Sequence, residues 1–112
     1  MLEDLKREIA KYSNLAYQRG LVGAAGGNVS ARYENLFLIT AGGKSLRDVI
    51  EEDIIIVDKG GNIIEGKEGQ KPSKETSLHI NVYKNRPITG NTKSSAISLI
   101  LYMNHSNLNS KN

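Results

Sequence analysis

The sequence predicts one small domain of the α/β class. Three observations predict it: a helix-period apolar pattern near the start, a central run of β-branched residues, and a second helix-like segment that begins after Pro72. The 112 residues, 38% of them hydrophobic, can form one modest core but not two. The chain has no cysteine, which excludes a disulfide framework and thiolate chemistry and fits a cytoplasmic location.

An amphipathic helix is predicted at the start of the chain. Its apolar residues recur at spacings of three and four and form one face: Leu2, Leu5, Ile9, Tyr12 and Ala16. Gly20 is a plausible C-terminal stop for this helix. A glycine-rich loop follows over residues 20–28.

Four strand-like segments come next. Residues 29–33 and 36–40 read as two strands around a turn at Glu34 and Asn35, and Ala41-Gly42-Gly43 ends the second strand. Ser45 is placed to cap a short helical turn through Val49. Residues 53–58 form a β-branched strand that we expect to be buried on both faces, and the turn at 59–62 leads back into Ile63 and Ile64 as a hairpin.

A second helix is predicted from Pro72 and Ser73 to about Asn85, before Pro87. Ser73 stands where a helix N-cap belongs. A helix N-terminus with a hydroxyl and the Lys74 ammonium nearby would suit a phosphate, and Glu75 could act beside it as an acid or base. A capped helix with a dipole-complementing glutamate is the more common explanation of this pattern.

Two glycine-containing loops offer donors for an anion. Gly27 and Asn28 combine free backbone N–H groups with a side-chain amide, and Thr40 is followed by exposed amides as far as Gly43. Spacing alone favours simple turns. The first loop is not a dinucleotide fingerprint because it follows a helix and precedes a strand, and it is not a P-loop because no Gly-Lys-Ser/Thr directly follows its glycines.

The charge pattern argues against nucleic acid as a partner. The sequence pI is about 9.2, yet residues 1–90 hold 13 Lys/Arg and 12 Asp/Glu. The excess comes mostly from residues 91–112, which add Lys93 and Lys111 but no acid, and aromatic residues are only 5% of the chain. No stretch approaches the roughly 20 apolar residues that span a bilayer, so we expect no membrane partner.

The order of the motifs resembles the class II aldolase/adducin family over residues 1–87. A helix is followed by Gly-Gly-Asn-Val-Ser-Ala-Arg, Leu-Ile-Thr-Ala-Gly-Gly, Pro-Ser-Lys-Glu-Thr-Ser-Leu-His and Tyr-Lys-Asn-Arg-Pro. The resemblance implies a three-layer α/β/α fold around a mainly antiparallel sheet. It also implies a lyase or an epimerase of carbohydrate metabolism that acts on a phosphorylated sugar, such as a ketose phosphate, in homotetramers with sites between subunits.

The resemblance also implies roles for single residues. Those that match phosphate- or substrate-binding positions are Gly27, Asn28, Thr40, Gly43, Ser73 and Lys74. Lys74 stands where many members have a second serine. Glu75 matches the acid/base carboxylate of the aldolases, and His79 matches a histidine that we interpret as structural.

The family's zinc ion, which stabilises an enediolate during aldol cleavage, requires a His-x-His pair soon after Arg86-Pro87. The sequence has none, so we expect no zinc bound by this chain. We therefore expect a truncated, catalytically impaired domain over 1–87 that keeps its phosphate loops, followed by a divergent Asn/Ser-rich tail over 88–112. A frameshift, an early stop and genuine divergence all fit this pattern.

Two further expectations follow from this interpretation. A sheet without its second half would expose apolar surface at residues 54–57 and 96–103. The alternative function is a non-enzymatic interaction or assembly module in the manner of adducin.

Overall fold

A computed structural model describes residues 2–23, 27–85 and 99–102. Their elements in chain order are α1 (Leu2–Gln18), β1 (Asn28–Tyr33), β2 (Leu36–Thr40), a short 3-10 helix (Glu51–Asp53), β3 (Ile54–Val57), β4 (Ile63–Glu65), α2 (Thr76–Asn85) and β5 (Leu99–Tyr102). None of the described helices is long and apolar enough to cross a membrane.

The strands form one sheet in the order β4-β3-β2-β1-β5. Every neighbouring pair is antiparallel, which confirms the predicted mainly antiparallel sheet. The β1–β2 hairpin turns at Glu34, whose φ of 56° is in the left-handed region. The sequence did not predict β5, because its four apolar residues lie within a segment dominated by Asn and Ser.

The two helices lie on opposite faces of the sheet. The core on the α1 face contains Leu5, Ile9, Ala10, Ala16, Val22, Val29, Ala31, Leu38, Leu46, Val49, Ile54 and Ile56. The core on the α2 face contains Phe37, Ile55, Val57, Ile80 and Tyr83. Successive residues of β3 alternate between the two cores, as the period of two in a strand requires.

The prediction that β3 is buried on both faces is confirmed. All four of its residues are at most 3% exposed. The expectation of exposed apolar surface at residues 54–57 is therefore wrong, since β3 lies between β2 and β4 and has a core on each side. The side chains of residues 96–103 lie outside the described part of the chain.

The predicted first helix is confirmed, with one error on its apolar face. Leu5, Ile9 and Ala16 are buried as expected, but Tyr12 is 40% exposed. Ser13 is buried on this face of the helix instead of Tyr12. Burial of its hydroxyl is tolerated because the hydroxyl donates to the Ile9 carbonyl at 2.7 Å. The helix ends in a Schellman arrangement, with Leu21 N–H bonded to the Ala16 carbonyl, Gly20 N–H to the Tyr17 carbonyl, and φ of +74° at Gly20.

The predicted short helical turn after Ser45 is a turn over residues 46–48, which ends before Val49. The Ser45 hydroxyl accepts a hydrogen bond from Arg47 N–H at 3.2 Å, but the chain does not continue helically to Val49. The Asn14 side chain donates to the Leu46 carbonyl at 2.8 Å, which ties this turn to α1. Leu46 and Val49 can then both enter the α1-face core.

The second helix begins at Thr76, later than predicted, and residues 71–75 run beside the end of β2. Pro72 forms an isolated antiparallel bridge with Ala41, and Gly42 N–H donates to the Lys71 carbonyl at 2.8 Å. A Cβ at Gly42 would lie 3.2 Å from the Pro72 carbonyl oxygen. The two backbones can approach this closely because glycine has no Cβ. This contact brings the loop after Thr40 next to the approach to α2.

Candidate phosphate and acid–base site

Three segments that the sequence singles out meet at one end of the β1–β2 hairpin. Asn28 begins β1 and Thr40 ends β2, and these two ends are adjacent because the strands are antiparallel. The turn before α2, with Ser73 and Glu75, lies against them through the Ala41–Pro72 bridge. Residues separated by more than 40 positions in the sequence are thus neighbours in space.

The Glu75 carboxylate is the centre of this cluster. Its Oε1 accepts a hydrogen bond from Asn28 Nδ2 at 3.0 Å and another from Ser73 Oγ at 2.9 Å. Asn28 and Ser73 are both buried, and Glu75 is half-buried. Two side-chain donors that the family resemblance assigns to a phosphate therefore converge on one anionic oxygen of the protein itself.

Ser73 also holds the chain in the turn that precedes α2. Its hydroxyl accepts a hydrogen bond from Glu75 N–H at 3.1 Å, which is the contact expected of a helix-capping serine. Its carbonyl accepts bonds from Thr76 N–H and from the Thr76 hydroxyl. The capping explanation and the phosphate-donor explanation of Ser73 are therefore compatible.

Thr40 is 1% exposed, and its hydroxyl oxygen accepts a hydrogen bond from Val29 N–H at 3.2 Å. Within the described part of the chain no hydrogen bond uses its hydroxyl proton, which a threonine can donate to a further acceptor. Gly27 and Gly43 flank the cluster with φ of +97° and +79°, a conformation that glycine adopts readily. Among the described residues, no hydrogen bond joins Thr40 or Gly43 to Glu75.

Lys74 lies apart from the other candidate residues. Its side chain lines a pocket of about 370 Å³ between the β3–β4 turn and α2, together with Lys59, Gly60, Gly61, Thr76, Ser77, Ile80, Asn81 and Lys84. None of Asn28, Thr40, Ser73 and Glu75 lines this pocket. The structure thus separates the lysine from the Asn28–Ser73–Glu75 cluster, although it is their neighbour in sequence.

A buried polar group lies behind Asn28. The Asn28 Oδ1 atom is hydrogen-bonded to Nε2 of His79, and Nδ1 of the same ring is 2.6 Å from Ser30 Oγ. Ser30 Oγ is also 3.0 Å from the Tyr83 hydroxyl. Sequence reasoning found His79 but gave no role to Ser30 or Tyr83. The available signals were that Ser30 shares a strand face with Asn28 and that Tyr83 follows His79 by one helical turn.

Burial determines the protonation of this group. It lowers the pKa of His79 from 6.5 to about 4, because the charged imidazolium is poorly solvated inside the protein, and the negative charge of Glu75 opposes this shift without cancelling it. Burial likewise raises the pKa of Tyr83 to about 12. At neutral pH the imidazole is therefore uncharged and the phenol keeps its proton.

The described residues do not fit a zinc site. Within residues 2–23, 27–85 and 99–102, no three His, Cys, Asp or Glu side chains come close enough to hold a metal ion. His79 uses both ring nitrogens in hydrogen bonds to Ser30 and Asn28. His105 lies outside the described residues, and the expectation that this chain binds no zinc stays a prediction.

Comparison with known proteins decides the family. A model of the class II aldolase and adducin N-terminal domain matches residues 7–91, most of the chain. The chain belongs to this family. The predicted boundary between a domain over 1–87 and a tail over 88–112 stays a prediction, because the end of the match does not test it.

Two groups of relatives in the family are enzymes by name. The chain is 44% identical over 84 residues to an L-fuculose phosphate aldolase of Methanococcus vannielii, which covers 75% of this chain and 44% of the relative. It is 36% identical over 88 residues to a methylthioribulose-1-phosphate dehydratase of Leptospira biflexa, with 75% and 42% covered. The chain thus spans less than half the length of these relatives.

Solved structures agree with the family assignment. An L-fuculose 1-phosphate aldolase superposes with a TM-score of 0.67 at 32% identity, over 75% of this chain and 40% of that protein. The L-fuculose-1-phosphate aldolase of Thermus thermophilus gives a TM-score of 0.55 at 29% identity, over 68% and 38%. The α/β class and the antiparallel sheet of this chain are therefore those of class II aldolases.

Acidification should destabilise the chain through His79. Between pH 6.5 and about 4 the unfolded histidine binds a proton that the folded one excludes, so the free energy of unfolding should fall as the pH is lowered. The fall should be on the order of 1–3 kcal/mol, at 1.36 kcal/mol per pKa unit. Urea denaturation at several pH values measures it.

The His79→Gln variant should show a smaller slope over this pH interval, since glutamine does not titrate. Leu78→Ala, on the exposed side of the same helix, is the control and should keep the slope of the original chain. Equal slopes in the original chain and the His79→Gln variant would contradict the assignment.

Proposed function

We propose that residues 27–85 bind the phosphate of a phosphorylated sugar, as part of a class II sugar-phosphate aldolase. One observation carries this proposal: Asn28 Nδ2 and Ser73 Oγ donate to the same carboxylate oxygen of Glu75. Donors from the sheet and from the approach to α2 are thereby already arranged around a negative charge. The first turn of α2 adds the backbone N–H groups and the positive dipole end that favour anions.

The chemistry of the named relatives supports the ligand class. L-fuculose phosphate and methylthioribulose-1-phosphate are both phosphorylated sugars. We propose that the ligand is of this kind, such as a ketose phosphate. Thr40 and the backbone around Gly27 and Gly43 lie at the same end of the hairpin and would supply further donors. Lys74 would contribute long-range positive charge, because its side chain is in a separate pocket.

Glu75 would have two states in this proposal. Without ligand, its carboxylate accepts the hydrogen bonds of Asn28 and Ser73. When a phosphate takes those donors, Glu75 is released beside the substrate, where a half-buried carboxylate can accept or return a proton. Glu75, which occupies the phosphate donors in the ligand-free chain, is thus also the candidate acid or base.

Bond cleavage in the proposed reaction depends on groups that the described residues do not supply. A zinc ion would stabilise the enediolate, but the sequence contains no His-x-His pair to hold it. We therefore propose that the 112 residues by themselves bind phosphate with impaired catalysis. The complete three-layer α/β/α arrangement, a homotetramer and a cytoplasmic location belong to the same proposal.

An adducin-like assembly role is the weaker alternative. The relatives named above are enzymes. The chain also keeps both the hydrogen-bond donors and the glutamate that chemistry on a sugar phosphate needs. An assembly role does not require a carboxylate held between two hydrogen-bond donors that suit a phosphate.

Removing the Ser73 hydroxyl should weaken phosphate binding. Ser73→Ala deletes one donor and leaves Asn28 in place, so the affinity for inorganic phosphate should fall about tenfold, the value of one charge-assisted hydrogen bond. Titration followed by amide chemical shifts measures the dissociation constant. Ser77→Ala is the matched control, because this exposed serine lies on α2 and lines the lysine pocket instead.

The two serines also test where phosphate binds. If Ser77→Ala weakens binding and Ser73→Ala does not, phosphate binds in the lysine pocket and the proposed site is wrong. If phosphate at millimolar concentration causes no shifts near Asn28 in the original chain, the proposal fails outright.

Neutralising Glu75 should strengthen phosphate binding. The Glu75 carboxylate competes with phosphate for the same two donors, and it repels a second anion nearby. Glu75→Gln keeps the size and an acceptor oxygen but removes the charge, so the affinity for inorganic phosphate at pH 7.5 should rise roughly tenfold or more. Glu68→Gln, in the exposed loop before Pro72, is the control. A weaker affinity in Glu75→Gln would show that the two anions do not compete.

The purified 112-residue chain should show little or no aldol cleavage of L-fuculose phosphate, with or without added zinc. The reason is the missing His-x-His pair. An assay for the released aldehyde checks this, with a full-length L-fuculose phosphate aldolase as the positive control. Zinc-dependent turnover at a rate near that of the control would overturn the proposed impairment.

A further inference from the structure

The Asn28 carboxamide has its two ends in different surroundings. Its Nδ2 end faces Glu75 and the candidate phosphate site. Its Oδ1 end faces a buried relay, by which we mean the side chains of Ser30, His79 and Tyr83. All three relay residues are at most 5% exposed, so water does not compete for these contacts.

The hydrogen bonds of the relay have only one consistent direction. Because Asn28 Nδ2 donates to the Glu75 carboxylate, Asn28 Oδ1 must be the end that faces His79, where it accepts from Nε2–H. The uncharged ring then has its lone pair on Nδ1, which must accept from the Ser30 hydroxyl. Ser30 Oγ in turn accepts from the Tyr83 hydroxyl.

A rotated carboxamide would break this pattern at both ends. Its NH2 group would face the Nε2–H donor of His79, and its oxygen would face the Glu75 carboxylate. Each contact would leave a buried polar group opposite another of the same kind, which is strongly unfavourable. The other tautomer of His79 would place the Nε2 lone pair opposite Asn28 Oδ1, so that two acceptors would face each other while Nδ2 stays bonded to Glu75.

We propose that His79, in the tautomer that donates from Nε2 and accepts from Ser30 at Nδ1, is a positioning residue that keeps the NH2 end of Asn28 aimed into the phosphate site. This inference rests on the proposed function in one respect, namely that the ligand of the oriented NH2 group is a phosphate. The orientation of the carboxamide itself is a property of the ligand-free chain.

This role explains why a polar relay is buried beside the apolar α2-face core. An apolar residue at position 79 would fill the space but would leave Asn28 Oδ1 without a donor and the carboxamide free to rotate. Tyr83 also packs against Phe37, with ring centroids 5.4 Å apart, so the far end of the relay is fixed by the core. The geometry of the core is thus passed to the site through three side chains.

The first experiment uses the ligand-free chain. Nitrogen-15 NMR of the His79 ring should show the Nε2–H tautomer alone. The proton resonance of the Asn28 side-chain NH2 should lie downfield because this group is hydrogen-bonded to Glu75. Ser30→Ala should give a mixture of tautomers and move the Asn28 NH2 resonances. Tyr83→Phe keeps the ring packing and removes only the hydroxyl that bonds Ser30, so it should cause a smaller change of the same kind.

The second experiment measures inorganic phosphate affinity in a matched pair at position 79. His79→Leu fills the space without a donor and should weaken binding about tenfold, the loss of one oriented N–H donor. His79→Gln can still donate to Asn28 Oδ1 and should restore most of the affinity. Leu78→Ala, on the exposed side of α2, should leave the affinity unchanged.

The outcomes separate this inference from the proposed function. If the original chain binds no phosphate but shows the single tautomer and the Ser30→Ala change, the proposed function fails and the positioning of Asn28 stands. If phosphate binds, and folded His79→Leu and Ser30→Ala variants keep both the affinity and the Asn28 resonances, the positioning role is overturned. The Nδ1–H tautomer in the original chain would overturn it as well. If His79→Leu does not fold, the Tyr83→Phe and Ser30→Ala results decide.

Discussion

The side chain of Asn28 is the contact on which the rest of the site depends. It begins β1, yet its amide reaches Glu75 before α2 and its oxygen reaches His79 within α2. One carboxamide therefore ties the sheet both to the residue that precedes α2 and to the first turn of α2. Because its donor and acceptor ends are chemically different, it also gives the cluster a direction, which apolar packing between β1 and α2 would not provide.

The same contact explains how a capped helix start can also be an anion site. Ser73 caps the turn through its oxygen lone pair and still donates its proton to Glu75. The hydroxyl thus serves the fold with one half of its hydrogen-bonding capacity and the carboxylate with the other. A structural and a ligand-binding role of such a serine are compatible here, because the first uses the lone pair of the hydroxyl oxygen and the second uses the hydroxyl proton.

The sequence predicted the parts of this molecule that local patterns encode. The spacing of Leu5, Ile9 and Ala16 located α1, and the β-branched run from Ile54 located β3, since both periodicities are properties of a single segment. Tyr12 was misplaced because helical spacing cannot show that Ser13 satisfies its own hydroxyl within the helix. The strand β5 was missed because its pairing partner, β1, is some 70 residues away in the chain, and only that pairing distinguishes it from a tail.

The candidate site followed the same division. Asn28, Ser73 and Glu75 were singled out from motifs, but no motif shows that Ser30 and Tyr83 complete a relay behind them or that Lys74 points to another pocket. Those facts depend on which face of β1 meets which face of α2.

The long sequence separations within the cluster have a consequence for the order of assembly. The hairpins of the sheet join residues that are close in the chain, whereas the bonds from β1 to α2 span 47 to 53 residues. Closing a loop of that length costs entropy that only the docked helix recovers. We therefore expect α1 and the β1–β2–β3 meander to form first. The Asn28–Ser73–Glu75 cluster and the relay are then the last part to form, and we expect them to be the first to open when the protein unfolds.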